Sequence, residues 1–516
     1  MNALYQSWLN EEQDMFAPMS ERLQYSLASC RARFGQICNR SHPMRRLPLE
    51  TMAQIMAEAS SGPTKTVLGR SLRTEIFISH VCRHWRDAAL STHSLWTTIV
   101  GPNSGDSTGR AAAYLTRSGG RLIDVRHVAN TGYTDPPPWG REFLMLAAQH
   151  GERWRSFTLN LMDVYFRNRL VADDLCNILR DLYVPQLQHV DVSVDLPPQY
   201  IGEEPQIFLR GAPRLCTLKL STPLASYWLL VPMKTITTLT IHYDFNPIPI
   251  IPIFSLPNLR HFAITRDDMS GYHRLEFDMP DDEDSVPGAL SELVSLRLPA
   301  PDLPSLFQLP ISLQLALRTV RYLFITAHGN AEDMDLDDDN EDQNDIVAAW
   351  EEWPSILQDE LDTSQRDLFP SLEHLIADLG WRGHVPALEM HPSLCRLTHN
   401  IRTLTIPDGY LDVDEEEVSD SNSKAMIWPH LRKVHFEELP YEEEMLEELV
   451  EWMAERGRQS GTLTVALSDS DACLGVEWIA GATGRNIRDL MQEIRLEEVP
   501  RLSPDGMWPP ADVTEA

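Results

Sequence analysis

Apolar residues recur through the middle and later chain in one repeated order: an apolar residue, two others, an apolar residue, one other, an apolar residue. The copies are Trp154/Phe157/Leu159, Leu187/Val190/Val192, Leu215/Leu218/Leu220, Ile236/Leu239/Ile241 and Leu259/Phe262/Ile264, then Leu293/Leu296/Leu298, Val320/Leu323/Ile325, Leu372/Leu375/Ala377, Ile401/Leu404/Ile406 and Leu431/Val434/Phe436. Their first residues are spaced 33, 28, 21, 23, 34, 27, 52, 29 and 30 apart. Each copy predicts one short strand with its first and last apolar residues inward. Parallel stacking of such units predicts a curved sheet within an α/β fold, with helical or irregular returns such as Trp139 to His150 and Asp173 to Leu182. The competing reading is an unrelated α/β domain whose strands look alike by chance.

Before residue 130 the period changes from strand-like to helical. Leu23, Leu27, Cys30, Phe34 and Ile37 fall at helical steps, and the preferred expectation is that this helix packs back on the helical module after it. Pro48 and Glu50 mark a helix start, because proline lacks only an N–H that is unpaired there. Leu49, Met52, Ile55, Met56 and Ala59 then form one apolar face, and Gly62-Pro63 ends it. A second apolar face is predicted at Ile78, Val81, Cys82, Trp85 and Ala89. These helices have too little core to be comfortable alone, so such a unit is expected to dock a leftover apolar face on something. Gly101 to Gly109 reads as a boundary. Arg110 to Arg117 reads as a helix, and Leu122 to Val128 as a strand.

These signals divide the chain into a helix over 1–40, a helical module over 41–100, a connecting region over 101–153, the repeats over 154–470 and a tail over 471–516. Within the repeats, Ala331 to Asp345 has nine acidic residues in fifteen and no basic one, which predicts a disordered, self-repelling loop. Ile346 to Leu361 is expected to be a helix with Trp350, Trp353 and Leu357 on one face. Glu442–Glu451 also reads as a helix, Thr462 to Leu467 as a last strand, and 500–516 as a fraying end.

Charge refines this picture. The 516 residues carry a net charge of −32. Residues 1–130 hold 15 basic and 10 acidic residues, so the remainder carries −37. So acidic a body argues against nucleic-acid binding and favours a Lys/Arg-rich protein target, or simply serves solubility. The seven cysteines are odd in number and scattered, which fits reduced thiols rather than a secreted disulfide framework. With no signal-peptide pattern and no apolar run long enough to span a membrane, the expected location is cytoplasmic and/or nuclear.

The sequence carries no recognisable catalytic constellation. No phosphate-binding Gly-rich loop, no Gly-x-Ser-x-Gly and no His-Glu-x-x-His is present. Asp333, Asp335, Asp337 and Asp339 alternate like the start of a calcium loop, but Asp338 stands where glycine is required and Asn344 where the closing Glu belongs. His391, Cys395 and His399 are read as chance neighbours rather than a zinc site. Cys82 is expected to be buried and inert. No metal, cofactor or catalytic residue is assigned, and the chain is expected not to be an enzyme.

Three pieces occur in order in the helical module: Leu47-Pro48-x-Glu50, Val81-Cys82-Arg83-x-Trp85-Arg86 and Leu95-Trp96-x-x-Ile99. Together they resemble an F-box of fungal type, the small helical module that binds the Skp adaptor of cullin–RING ubiquitin ligases. Thr51-Met52 replaces the family's pair of branched aliphatics, and the Ala57 to Thr74 segment is longer than the family norm. The repeats resemble leucine-rich repeats of a degenerate, irregular kind. The family's Asn or Cys is absent, with Asp195, Pro223, Asp244 and Asp267 at such positions, so the turns must be held another way. The resemblance implies a substrate-recognition subunit that binds a Skp-type adaptor, through it a cullin, and a protein substrate on its repeats. From charge and hydropathy, no nucleic-acid or membrane partner is expected. Adaptor contact is expected at Leu47, Pro48, Ile55, Met56, Ile78, Val81, Trp85, Leu95 and Trp96. The alternatives are a plain helical hairpin packed on the next domain, within a ligase-independent scaffold for protein–protein interaction, and an enzyme with an unrecognised site.

Overall fold

A computed structural model describes residues 22–35, 37, 43–61, 66–67, 70–71, 73–101, 108–128, 140–161, 177–194, 207–221, 234–243, 248–249, 253, 256–266, 275, 277–278, 293–326, 341–364, 367–378, 392–406, 428–436, 463–468 and 494–499. The chain forms two compact units, Met1–Ile99 with Gly109–Ile123, and Val100–Thr108 with Asp124–Ala516. Among the described residues, no helix is long and apolar enough to cross a membrane.

In the first unit, helix α1 spans Leu49–Ser61, α2 Thr74–Val81, α3 Arg83–Ser91 and α4 Thr108–Arg117. The Pro48 carbonyl accepts the Met52 N–H at 3.1 Å, so proline sits where its missing donor costs nothing. α1 ends at Ser61, immediately before Gly62-Pro63, as its sequence predicts. A short antiparallel pair, Thr66–Val67 with Arg70–Ser71, occupies part of the long segment between α1 and α2.

The second predicted apolar face is not one helix. Cys82 is extended, at φ −159° and ψ 173°, and separates α2 from α3. The Arg86 guanidinium bridges the break by donating Nε–H to the Ser79 carbonyl at 2.9 Å. Ile78, Ala88 and Ala89 are therefore buried while Val81 is turned out. Cys82 itself is half-buried rather than sealed in the core.

The core of this unit gathers Met52, Met56, Ile78, Leu95, Trp96, Tyr114 and Leu115. Trp96 is fully buried, donates its indole N–H to the Ala89 carbonyl at 2.9 Å, and meets the Tyr114 ring edge-on at 5.1 Å. Arg117 lies over the Trp96 ring at 4.5 Å. Burial, and next the Glu75 carboxylate that accepts the Tyr114 hydroxyl, push the phenol well above its usual range. Residues 22–35 are helical as predicted, but Leu23, Leu27, Phe34 and Ile37 are exposed. The face expected to pack back on the module is open.

The second unit is mixed α/β. Its strands β1 Trp154–Leu161, β2 His189–Val194, β3 Thr217–Ser221, β4 Thr238–His242, β5 His261–Thr265, β6 Ser295–Pro299, β7 Tyr322–Thr326, β8 His374–Asp378, β9 Thr403–Ile406, β10 Lys433–Phe436, β11 Leu463–Ser468 and β12 Ile494–Val499 lie side by side in chain order. Every neighbouring pair among these twelve is parallel. All ten sequence copies supply a strand, and β12 extends the ladder into what the sequence reads as tail.

Register aligns the copies residue for residue. Phe157, Val190, Leu218, Leu239, Phe262, Leu296, Leu323, Leu375, Leu404 and Val434 form one row across ten strands. All of them are buried, as are the first apolar residues of each copy, from Trp154 to Leu431. Helix α5, Arg141–Ala148, buries Phe143, Leu144 and Ala147, and its Ala147 carbonyl accepts the Trp154 indole N–H at 3.0 Å. Helix α6, Glu341–Ser364, buries Trp353, Leu357 and Leu361. It starts at Glu341, so the acidic run is helical from there to Asp345 instead of looping to its end; carboxylates suit a helix N-terminus. Residues 331–340, Glu442–Glu451 and 500–516 lie outside the described residues, as does the side chain of Trp350.

The turns are held by a device the repeat pattern does not announce. In several copies the residue immediately before the first apolar position reaches back to the preceding repeat. Thr235 Oγ1 donates to the Leu215 carbonyl at 2.7 Å, Thr319 Oγ1 to the Leu293 carbonyl at 2.9 Å, and Asn400 Nδ2 to the Pro370 carbonyl at 3.3 Å. Arg214 Nη1 donates to Gln186 Oε1 at 2.6 Å, and both residues occupy this same position. Asp195, Pro223, Asp244 and Asp267 lie outside the described residues.

Candidate docking surfaces

The first unit sorts the nine predicted adaptor residues by burial. Pro48, Ile55 and Val81 are exposed, and Leu47 and Trp85 are half-buried. Met56, Ile78, Leu95 and Trp96 are buried, with Trp96 at 0% exposure. These four face the module's own interior, because a unit this small needs its largest apolar groups for a core. The exposed apolar set also includes residues that the motif does not single out: Leu49, Phe77 and Leu90. Phe77 and Val81, each 58% exposed, stand four residues apart on α2 and so share a face. The available signal was their offset from Ile78 on the helical wheel.

The second unit presents the side of its sheet opposite the apolar rows. Here the middle of the ladder is covered. Thr238, His261, Ser295 and Tyr322 form a row on consecutive strands, and all are buried. His261 Nδ1 lies 2.6 Å from Ser295 Oγ, and Tyr322 stacks on His374 at 4.4 Å. Burial, reinforced by the neighbouring Arg260 charge, depresses the His261 imidazole to about 4. It stays neutral when folded but binds a proton below about 6.5 when unfolded, so its contribution is intact above that pH and is lost on acidification toward 4. His261→Gln is expected to reduce the fall in urea-denaturation stability between pH 6.5 and 4.5; an unchanged pH slope would show that His261 is not its source.

At the edge where the strands begin, one residue per strand forms a further row through backbone hydrogen bonds. The row runs Arg155, Gln188, Cys216, Thr237, Arg260, Val294, Arg321, Glu373, Arg402 and Arg432. Its five arginines are all exposed. Arg321 donates to Glu373 at 2.6 Å and 3.1 Å, Arg402 lies 3.9 Å from the other Glu373 oxygen, and the Arg321 bonds hold the Glu373 carboxyl below its usual range. Arg155 pairs with Asp124, which also accepts from Ser156 at 2.7 Å. Burial pushes the Asp124 carboxyl up, but these hydrogen bonds together outweigh it and leave it below its ordinary value.

The outward rows of the strands add Asp191, Lys219, Arg297 and Lys433. Among the described side chains of these rows, eight charged residues are basic and two acidic, in a chain with 44 basic and 76 acidic residues. Among the described side chains, these rows are thus mostly basic where an acidic face is expected from total charge. Among the described residues, no group of three His, Cys, Asp or Glu could hold a metal ion. Cys395 is buried and His399 exposed, while His391 lies outside the described residues. No protein-family model matches the chain, and no curated protein matches it by sequence.

Proposed function

We propose that the chain is the substrate-recognition subunit of a Skp–cullin–F-box type ubiquitin ligase. The first unit docks on a Skp-type adaptor and the repeat unit holds a protein substrate. The ligation chemistry is supplied by partners. The observation that carries this reading is the exposed apolar set Pro48, Leu49, Ile55, Phe77 and Val81 on a module whose sequence resembles an F-box. Apolar anchors at the centre of an interface carry most of its energy, often about 2 kcal/mol or more each. The second reading is a ligase-independent repeat scaffold. It is favoured by the burial of Met56, Ile78, Leu95 and Trp96, since a folding core alone explains those motif positions.

Co-purification with the Skp adaptor separates the two. Phe77→Asp with Val81→Asp is expected to weaken capture by about a hundredfold or more while leaving the melting temperature within a few degrees. Capture undiminished in the folded double variant would remove the adaptor surface as assigned.

A further inference from the structure

The row of arginines at the strand starts is a surface that the receptor reading leaves without a ligand. Arg260, Arg321, Arg402 and Arg432 lie on β5, β7, β9 and β10 or immediately before them, with Val294 and Glu373 between. Neighbouring strands are about 4.8 Å apart, so the five steps from Arg260 to Arg432 span roughly 24 Å. An extended polypeptide covers that distance in about seven residues. Arg321 and Arg402 keep side-chain exposures of 53% and 65% even while engaged with Glu373, so their remaining donors face solvent. Lys433 adds a cation beside Arg432 in the next row.

We propose that this row binds an extended Asp/Glu-rich segment of a protein partner, its carboxylates taking the arginine donors in turn. This deepens the receptor reading by naming the chemistry of its substrate and reverses the Lys/Arg-rich target suggested by total charge. Screening makes the reversal possible. At physiological salt a charge is felt over about 8 Å, so a docked segment senses chiefly the charges within that reach of the row rather than the chain's total charge. Arginine suits the task because its fork meets a carboxylate through two parallel hydrogen bonds. Glu373 already occupies the row as a single resident carboxylate, and an incoming segment competes with it for Arg321 and Arg402.

The test is fluorescence anisotropy of labelled decaglutamate on the full-length chain at about 0.1 M salt. The parent is expected to bind, and Arg260→Glu with Arg402→Glu and Arg432→Glu to lose at least about tenfold in affinity. Arg22→Glu with Arg31→Glu and Arg33→Glu makes the same change in net charge on the exposed N-terminal helix and is expected to leave affinity within about twofold. Glu373→Gln is expected to strengthen binding a few fold by freeing Arg321 and Arg402. If the triple reversal disturbs folding by circular dichroism, the same three positions changed to Gln carry the test with a smaller loss. No binding by the parent, equal loss in both triple variants, or weaker binding with Glu373→Gln overturns the proposal. So does tighter binding of decathymidylate than of decaglutamate, which would assign the row to phosphate polymers. Adaptor capture is read separately: its failure with peptide binding intact removes the ligase role and leaves the row.

Discussion

Replacing Asp302 by alanine is expected to destabilise the repeat unit by about 3–5 kcal/mol, the cost of breaking a buried ion pair by removing one partner. Asp302 lies just after β6 and is fully buried. It accepts two hydrogen bonds from Arg266, at 2.7 Å and 3.1 Å, and the Leu275 N–H at 3.2 Å. The Arg266 side chain is only 5% exposed and lies over the Tyr243 ring at 4.4 Å. Without the carboxylate, that guanidinium loses both of these hydrogen bonds in a place water hardly reaches. The damage therefore includes the cost of a buried guanidinium with two donors less well satisfied, as well as the bonds removed. Arg266→Met with Asp302→Leu removes both charges and is expected to be less destabilised than Asp302→Ala alone. Urea denaturation checks the pair. A loss under about 1 kcal/mol in Asp302→Ala would mean that Arg266 finds another partner or reaches solvent.

Trp96→Ala is expected to cost the first unit about 3–5 kcal/mol, the range for truncating a large buried aromatic. The ring fills the centre of a small core, donates to the Ala89 carbonyl, and anchors both Tyr114 and Arg117. A module of this size has little stability beyond that amount. Hydrogen exchange over α1 to α3 is expected to lose protection in this variant while β1 to β10 keep theirs. Preserved protection in the three helices would show that Trp96 is not their centre. Any loss of adaptor capture in Trp96→Ala thus reports unfolding, whereas loss in the Phe77 and Val81 variant reports contact.

The ladder was legible because its signal is repeated and local. A period of two within each copy, with a turn before it, leaves few ways to bury ten similar triplets. The break at Cys82 was not legible, because Val81-Cys82-Arg83 contains neither proline nor glycine and its apolar spacing runs through. The last strand was missed for the opposite reason. Leu496 keeps the repeat's middle position, but Glu498 stands in register with Leu467 where the pattern demands an apolar residue. At the candidate sites, residue type told which positions matter and not which way they face. Trp96 and Phe77 are both large and apolar in a helical module, yet one fills the core and the other meets solvent. Total charge misled for a related reason. It sums over all 76 acidic residues, whereas the described charged side chains of the rows that hold Arg260, Arg402 and Arg432 are mostly basic.

The central claim is that the first unit binds a Skp-type adaptor through its exposed apolar residues, Phe77 and Val81 among them. Isothermal titration of the purified full-length chain with purified adaptor, at two temperatures, addresses it directly. The expected result is saturable one-to-one binding with a negative heat-capacity change, the mark of apolar surface leaving water, both lost with Phe77→Asp and Val81→Asp. No heat of binding at either temperature from a folded parent, or binding that the double variant leaves intact, would contradict it.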